Sequence, residues 1–237
     1  MNNIKSIVKK ELNSYLLSPA TYIVFVIFLM ITGWFFNSTV FVIGQAEMRS
    51  LFTTLPILFL FFIPAITMGM VAKEKNTGTI EILATLPIQD SQIILGKFFA
   101  SLILIGITLL FTFVHFLTIV KYGENIDFGA VLWGYIGLYL VAAAYCAIGI
   151  FGSSLHSNQI VAFIISFVLV FFFYIIELIL VVFPGPLAEF FQYLSFNYHF
   201  SNLQRGVLDT RDIIYFGTLI TLFLKGAMLS LESRKWN

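Results

Sequence analysis

Residues 98–120 read FFASLILIGITLLFTFVHFLTIV, 23 consecutive positions without an acid, a lysine or an arginine. About 20 mainly apolar residues in helix cross a bilayer core, so this run is long enough to span one. It does not alternate apolar with polar, as the roughly 10-residue segments of a membrane barrel do. Five further runs of the same kind lie at 20–43, 51–72, 128–151, 160–183 and 213–231, and together the six cover 136 of the 237 residues. The third run is expected to start earlier, near Gln92, with Lys97 still at headgroup level. The expected fold is an all-α integral membrane protein of six transmembrane helices, forming one domain over residues 1–237.

Composition agrees. Apolar residues make up 59% of the chain, Phe alone occurs 28 times, and the mean hydropathy is +0.97. Charged residues are 11%, against about 25% in soluble domains. A soluble chain of this size has too little interior to hide so much apolar surface. The net charge of +1 argues against a nucleic-acid surface. A single cysteine, Cys146, allows neither a disulfide framework nor a cysteine metal site. No phosphate loop is present, since Gly96-Lys97 lacks the upstream glycine and the following hydroxyl. Zinc-protease and nucleophile-elbow motifs are also missing. The three histidines (His115, His156 and His199) are far apart in the chain. The chain is therefore read as a non-enzyme with no cofactor or metal of its own.

Lysine and arginine near the helix ends set the orientation. Eight lie on the side of the N-terminus (Lys5, Lys9, Lys10, Lys73, Lys75, Lys97, Arg234, Lys235) and four on the other (Arg49, Lys121, Arg205, Arg211). Both termini are therefore expected in the cytoplasm, in a multi-pass protein of the cytoplasmic (inner) membrane. The first apolar run starts too late and is too long for a cleaved signal peptide.

Three segments outside the spans carry structure of their own. Residues 2–18 place Ile4, Ile7, Val8, Leu12, Tyr15 and Leu16 on one helical stripe, with Lys9 and Lys10 off it. This predicts a helix lying in the membrane interface and ended by Ser18-Pro19. Glu11 projects into the stripe. A buried carboxylate needs a partner, expected on another protein or near Lys73, Lys75 and Asn76. Residues 73–92 form the sizeable cytoplasmic loop. Within it, residues 76–79 cap a short helix with Glu81 in its first turn, Ile80, Leu83 and Leu86 on its apolar face, and Pro87 at its end. Residues 184–212 are too polar to span and too apolar for a free loop. Phe196, Phe200, Leu203 and Val207 repeat at helical spacing, which predicts two short helices dipping back into the outer leaflet. Asp209 to Asp212 then open the sixth span.

Polar groups inside spans are candidates for function. Glu177 lies in the fifth run, roughly 9 Å below its outer end at ~1.5 Å per residue. Lys225 lies in the sixth, where its stem can reach headgroups. Pro56 and Pro64 in the second run free carbonyls and invite kinks.

The order of interfacial helix, two spans, cytoplasmic helix, three spans, dipping outer helices and last span resembles the permease subunit of ABC-2 type (type V) ABC transporters. The motif carrying the resemblance is Lys73-Glu74-Lys75-x-x-Gly78-Thr79-x-Glu81-x-Leu83 followed by Leu86-Pro87, which is similar to that family's cytoplasmic coupling helix. The stretch from Phe196 to Asp209 is similar too. Among subgroups, the chain most resembles the short permeases of the gliding-motility GldF and nitrous-oxide-reductase-maturation NosY kind. The resemblance implies a half-transporter in which two permeases, identical or paralogous, work with two separate ATPase subunits that bind the ATP and magnesium. Glu11, Lys73, Glu74, Gly78, Thr79, Glu81, Leu83 and Leu86 would then face the ATPase, and Glu177, Lys225, Pro56 and Pro64 are the translocation candidates. It implies export of an unspecified cargo. The alternatives are an ATPase-driven mechanical subunit that moves an additional membrane or periplasmic partner and, more weakly, a secondary transporter, for which the paired broken spans are missing.

Overall fold

The computed structural model describes residues 2–44, 47–80, 87–122, 127–179 and 191–233. Among these the regular structure is helical, and six helical segments are long and apolar enough to cross a membrane. Helix α1 (Asn2–Leu16) is followed by α2 (Pro19–Asn37), which runs into a π-helical turn, Ser38–Val42. Then come α3 (Met48–Thr67), α4 (Gly69–Asn76), α5 (Asp90–Tyr122), α6 (Phe128–Leu155), α7 (Gln159–Ile179), α8 (Phe196–Gln204) and α9 (Thr210–Glu232).

Helix α6 is the axis of the bundle and packs against α3, α4, α5, α7, α8 and α9. Its sequence explains why. Residues Ala142, Ala143, Ala144, Ala147, Gly149 and Gly152 are small, and small residues let membrane helices approach closely. At Gly149 a Cβ would stand 2.0 Å from Thr67 Oγ1, so α3 and α6 meet there with no room for a side chain. The outward faces are apolar instead: Leu110, Val114, Ile214 and Leu229 are all exposed, as a lipid-facing surface requires.

The second apolar run differs from its sequence reading. Its helix does not end near residue 72 but continues to Asn76, so Lys73, Glu74 and Lys75 are helical rather than in a loop. The helix is interrupted at Met68. Ser153 Oγ of α6 accepts from Val71 N and Ala72 N, both at 3.0 Å, and donates to Met68 O at 2.7 Å. A side chain inserted into the i→i−4 ladder interrupts a helix in this way, and Pro64, lacking an N–H, has already freed a carbonyl one turn earlier. Pro56 and Pro64 are both buried within α3.

The stripe expected at 196–207 is shorter than its spacing suggested. Phe196, Phe200 and Leu203 are buried, but α8 ends at Gln204 and Val207 is exposed. Gly206, with φ +79°, turns the chain away before Val207 can join the face.

Candidate functional site

Glu11, Glu74 and Lys97 come from three helices and meet at one end of the bundle. Lys97 Nζ lies 2.8 Å from Glu11 Oε1 and 2.9 Å from Glu74 Oε2. Lys10 Nζ lies 2.8 Å from the other Glu74 oxygen and 3.7 Å from Glu11. Two cations and two anions balance. The Lys97 side chain is 1% exposed and Glu11 is buried, so this is a closed ion cluster with Lys10 as its solvent-facing member. Burial opposes the Lys10 charge, but the hydrogen bond and field of Glu74, with Glu11 behind it, hold the ammonium above its ordinary pKa. Burial pushes the Tyr15 phenol up, and Glu11 and Glu74 add to the shift.

Local sequence brings these groups together. Gly96 lets α1 lie flush on α5: a Cβ there would come within 2.6 Å of Ile7 Cγ2. One turn along α1 from Ile7, Glu11 then falls against Lys97. Tyr15, one turn further, donates to Ile66 O at 2.8 Å, and Asn3 donates to Gln92 Oε1 at 3.2 Å. The stripe of α1 therefore meets protein at Ile7, Glu11 and Tyr15. The basic partner of Glu11 is Lys97, from the third span, and not a residue of the following loop. Lys75 instead donates to Ser154 O, and Lys73 is exposed. The sequence alone does not place Lys97 in the cluster, because a lysine at the end of an apolar run can point to the headgroups or inward.

Beyond Glu74 the helix stops cleanly. Thr77 N and Gly78 N close the last turn on Lys73 O and Lys75 O, and Gly78 takes φ +69°, the left-handed conformation common just past a helix end. The Thr79 hydroxyl lies 2.9 Å from that of Thr77 and 3.4 Å from Glu74 O. Residues 79–80 are helical again, and Ile80 is buried in the core. Glu81, Leu83 and Leu86 lie outside the described residues. A cleft of about 630 Å³ opens beside the cluster, lined among others by Lys10, Glu74, Lys97, Thr79 and, from α2 and α7, Thr21 and Gln159.

The remaining candidates are elsewhere. Lys225 is exposed on α9. Glu177 is in α7, but its side chain lies outside the described residues. At the opposite end of the bundle is a pair that sequence reading missed. His199 of α8 and Asp212 of α9 are both buried, with Nδ1 and Oδ1 2.6 Å apart. His199 Nε2 lies 2.9 Å from Tyr193 O, Asn202 donates to Asp212 Oδ2, and the imidazole stacks on Tyr215 at 3.9 Å. A carbonyl can only accept, so Nε2 donates to Tyr193 O while Nδ1 faces the Asp212 carboxyl group. The pair closes α8 onto α9. Its sequence signals were two helix caps, Ser195 and Asp209, which fix where both helices begin.

The fold is that of a multi-pass membrane protein with an ion cluster joining its N-terminal helix to its second and third spans. The family model for the ABC-2 family transporter protein matches residues 5–224, and the chain belongs to that family. It is the membrane permease component of an ABC transporter, which works with an ABC ATPase subunit. A search of curated proteins finds no match.

Proposed function

We propose that this permease receives the motion of the ATPase through α1 and the turn after α4, and that it exports its cargo through a pathway formed with a second permease. Two ATPase subunits complete the assembly. Both termini and residues 73–92 lie in the cytoplasm, α1 lies in the membrane interface, and Gly78 to Leu86 meet the ATPase. The chain is read as a short permease of the gliding-motility and nitrous-oxide kind, with the type V architecture that this resemblance implies.

The observation supporting this reading is the burial of Lys97 between Glu11 and Glu74. A force applied to α1 or to the end of α4 reaches the third span through charges that cannot separate without leaving one another unpaired in a largely buried site. The test is ATP hydrolysis by the ATPase subunit reconstituted with the permease in liposomes. Glu11→Gln should lower permease-stimulated hydrolysis several-fold while insertion stays normal. Asn13→Ala, on an exposed face of α1, should not. Equal stimulation by both variants would sink the coupling assignment.

A further inference from the structure

A second groove, of about 500 Å³, runs along the other flank of α1. Its walls are two rows at one-turn spacing: Ile4, Val8 and Leu12 on α1, and Phe99 and Ile103 on α5. Lys5 and Lys9 lie along its rim, also one turn apart, and both are exposed. Among the described residues neither forms an ion pair, and no acid lines the groove. The contrast with the cleft on the first flank is chemical. There Lys10 and Lys97 are spent on Glu11 and Glu74; here two cations face outward above an apolar trough.

We propose that this groove binds one anionic phospholipid, its phosphate on Lys5 and Lys9 and an acyl chain between Val8 and Ile103. The proposal rests on α1 lying at the membrane surface, as read above. Charge complementarity selects the headgroup: two adjacent ammoniums attract a phosphate carrying net negative charge, whereas a zwitterionic headgroup brings its own cation against them. The groove is held open in advance. Ile7 seated over Gly96 and Glu11 paired to Lys97 fix α1 on α5, so the lipid meets a preformed site and loses less on binding.

The test is native mass spectrometry of the permease released from nanodiscs of equimolar phosphatidylglycerol and phosphatidylcholine. The wild type should retain phosphatidylglycerol preferentially, with a contribution of roughly fivefold per lysine, from about 1 kcal/mol for each cation near an anionic surface. Lys5→Gln with Lys9→Gln should abolish the preference, and Lys121→Gln should leave it unchanged. Val8→Trp, which fills the trough, should remove the retained lipid of both kinds. Equal retention of the two lipids by wild type, or full retention by Val8→Trp, would overturn the proposal. A bimane label on Leu17→Cys in a Cys146→Ala background reports on the underlying reading separately. Quenching by brominated phosphatidylcholine places the end of α1 at the lipid whatever the headgroup preference, and absence of quenching would remove the interfacial reading itself.

Discussion

Lys97 and Glu11 stand 86 residues apart in the chain, yet their charged atoms are 2.8 Å apart and both side chains are buried. Removing one partner of such a pair typically costs about 3–5 kcal/mol, largely because the other charge is left buried. Lys97→Met should therefore lower the thermal midpoint of the detergent-solubilised protein sharply. Adding Glu11→Gln to it should recover part of the loss. If the double variant is as unstable as the sum of the single ones, the two residues are not coupled.

Gly78 offers a test of shape without chemistry. A Cβ there would touch nothing within 4 Å, so only its φ of +69° resists substitution. Gly78→Ala should cost about 1 kcal/mol and re-aim the segment after α4. Permease-stimulated ATP hydrolysis should fall more than stability does. Gly78→Asn, which tolerates this conformation better, should keep most of the activity.

Two glycines separate close packing from helix propensity. Gly149→Ala drives a methyl group into Thr67 and should destabilise by about 1–3 kcal/mol. Gly217→Ala meets nothing within 4 Å and should be neutral or stabilising by up to ~1 kcal/mol. Thermal midpoints in one detergent give the comparison, and similar losses at both sites would contradict the packing of α3 on α6.

At the other end of the bundle, Asp212→Ala leaves His199 without its partner and should loosen α8 from α9. Hydrogen exchange of residues 196–204 should accelerate by at least tenfold, as expected for about 1.4 kcal/mol or more from a buried, charge-assisted bond. Exchange in α1 should not change. Acceleration at both ends would mean general destabilisation rather than an opened cap.

Orientation is checked by labelling. In a Cys146→Ala background, a cysteine at Asn76 should react only with reagent on the cytoplasmic side, and one at Arg205 only with reagent outside. Both positions are exposed. The opposite pattern would reverse the proposed topology.

The sequence exposes some of these features and hides others, for physical reasons. Membrane spans are legible because length and apolarity alone define them, so six runs stand out without any knowledge of packing. Glu11 was legible as a misfit, since a carboxylate on an apolar stripe demands a partner. Lys97 was not, because its long stem can point to headgroups or inward with the same sequence. Ser153 gave no signal, because a serine in a membrane helix usually bonds its own backbone, and only the approach of α4 converts it into a bridge. His199 and Asp212 depend on the turn between two helices, which spacing cannot supply.

The placement of Lys97 also bears on how the protein is made. Glu11 leaves the ribosome 86 residues before the lysine that neutralises it, a delay of roughly 4–17 s at about 5–20 residues per second. Until the third span is made, Glu11 lacks the Lys97 ammonium that neutralises it. The helix that carries Glu11 is thus made well before the lysine it pairs with, and its docking waits on the third span.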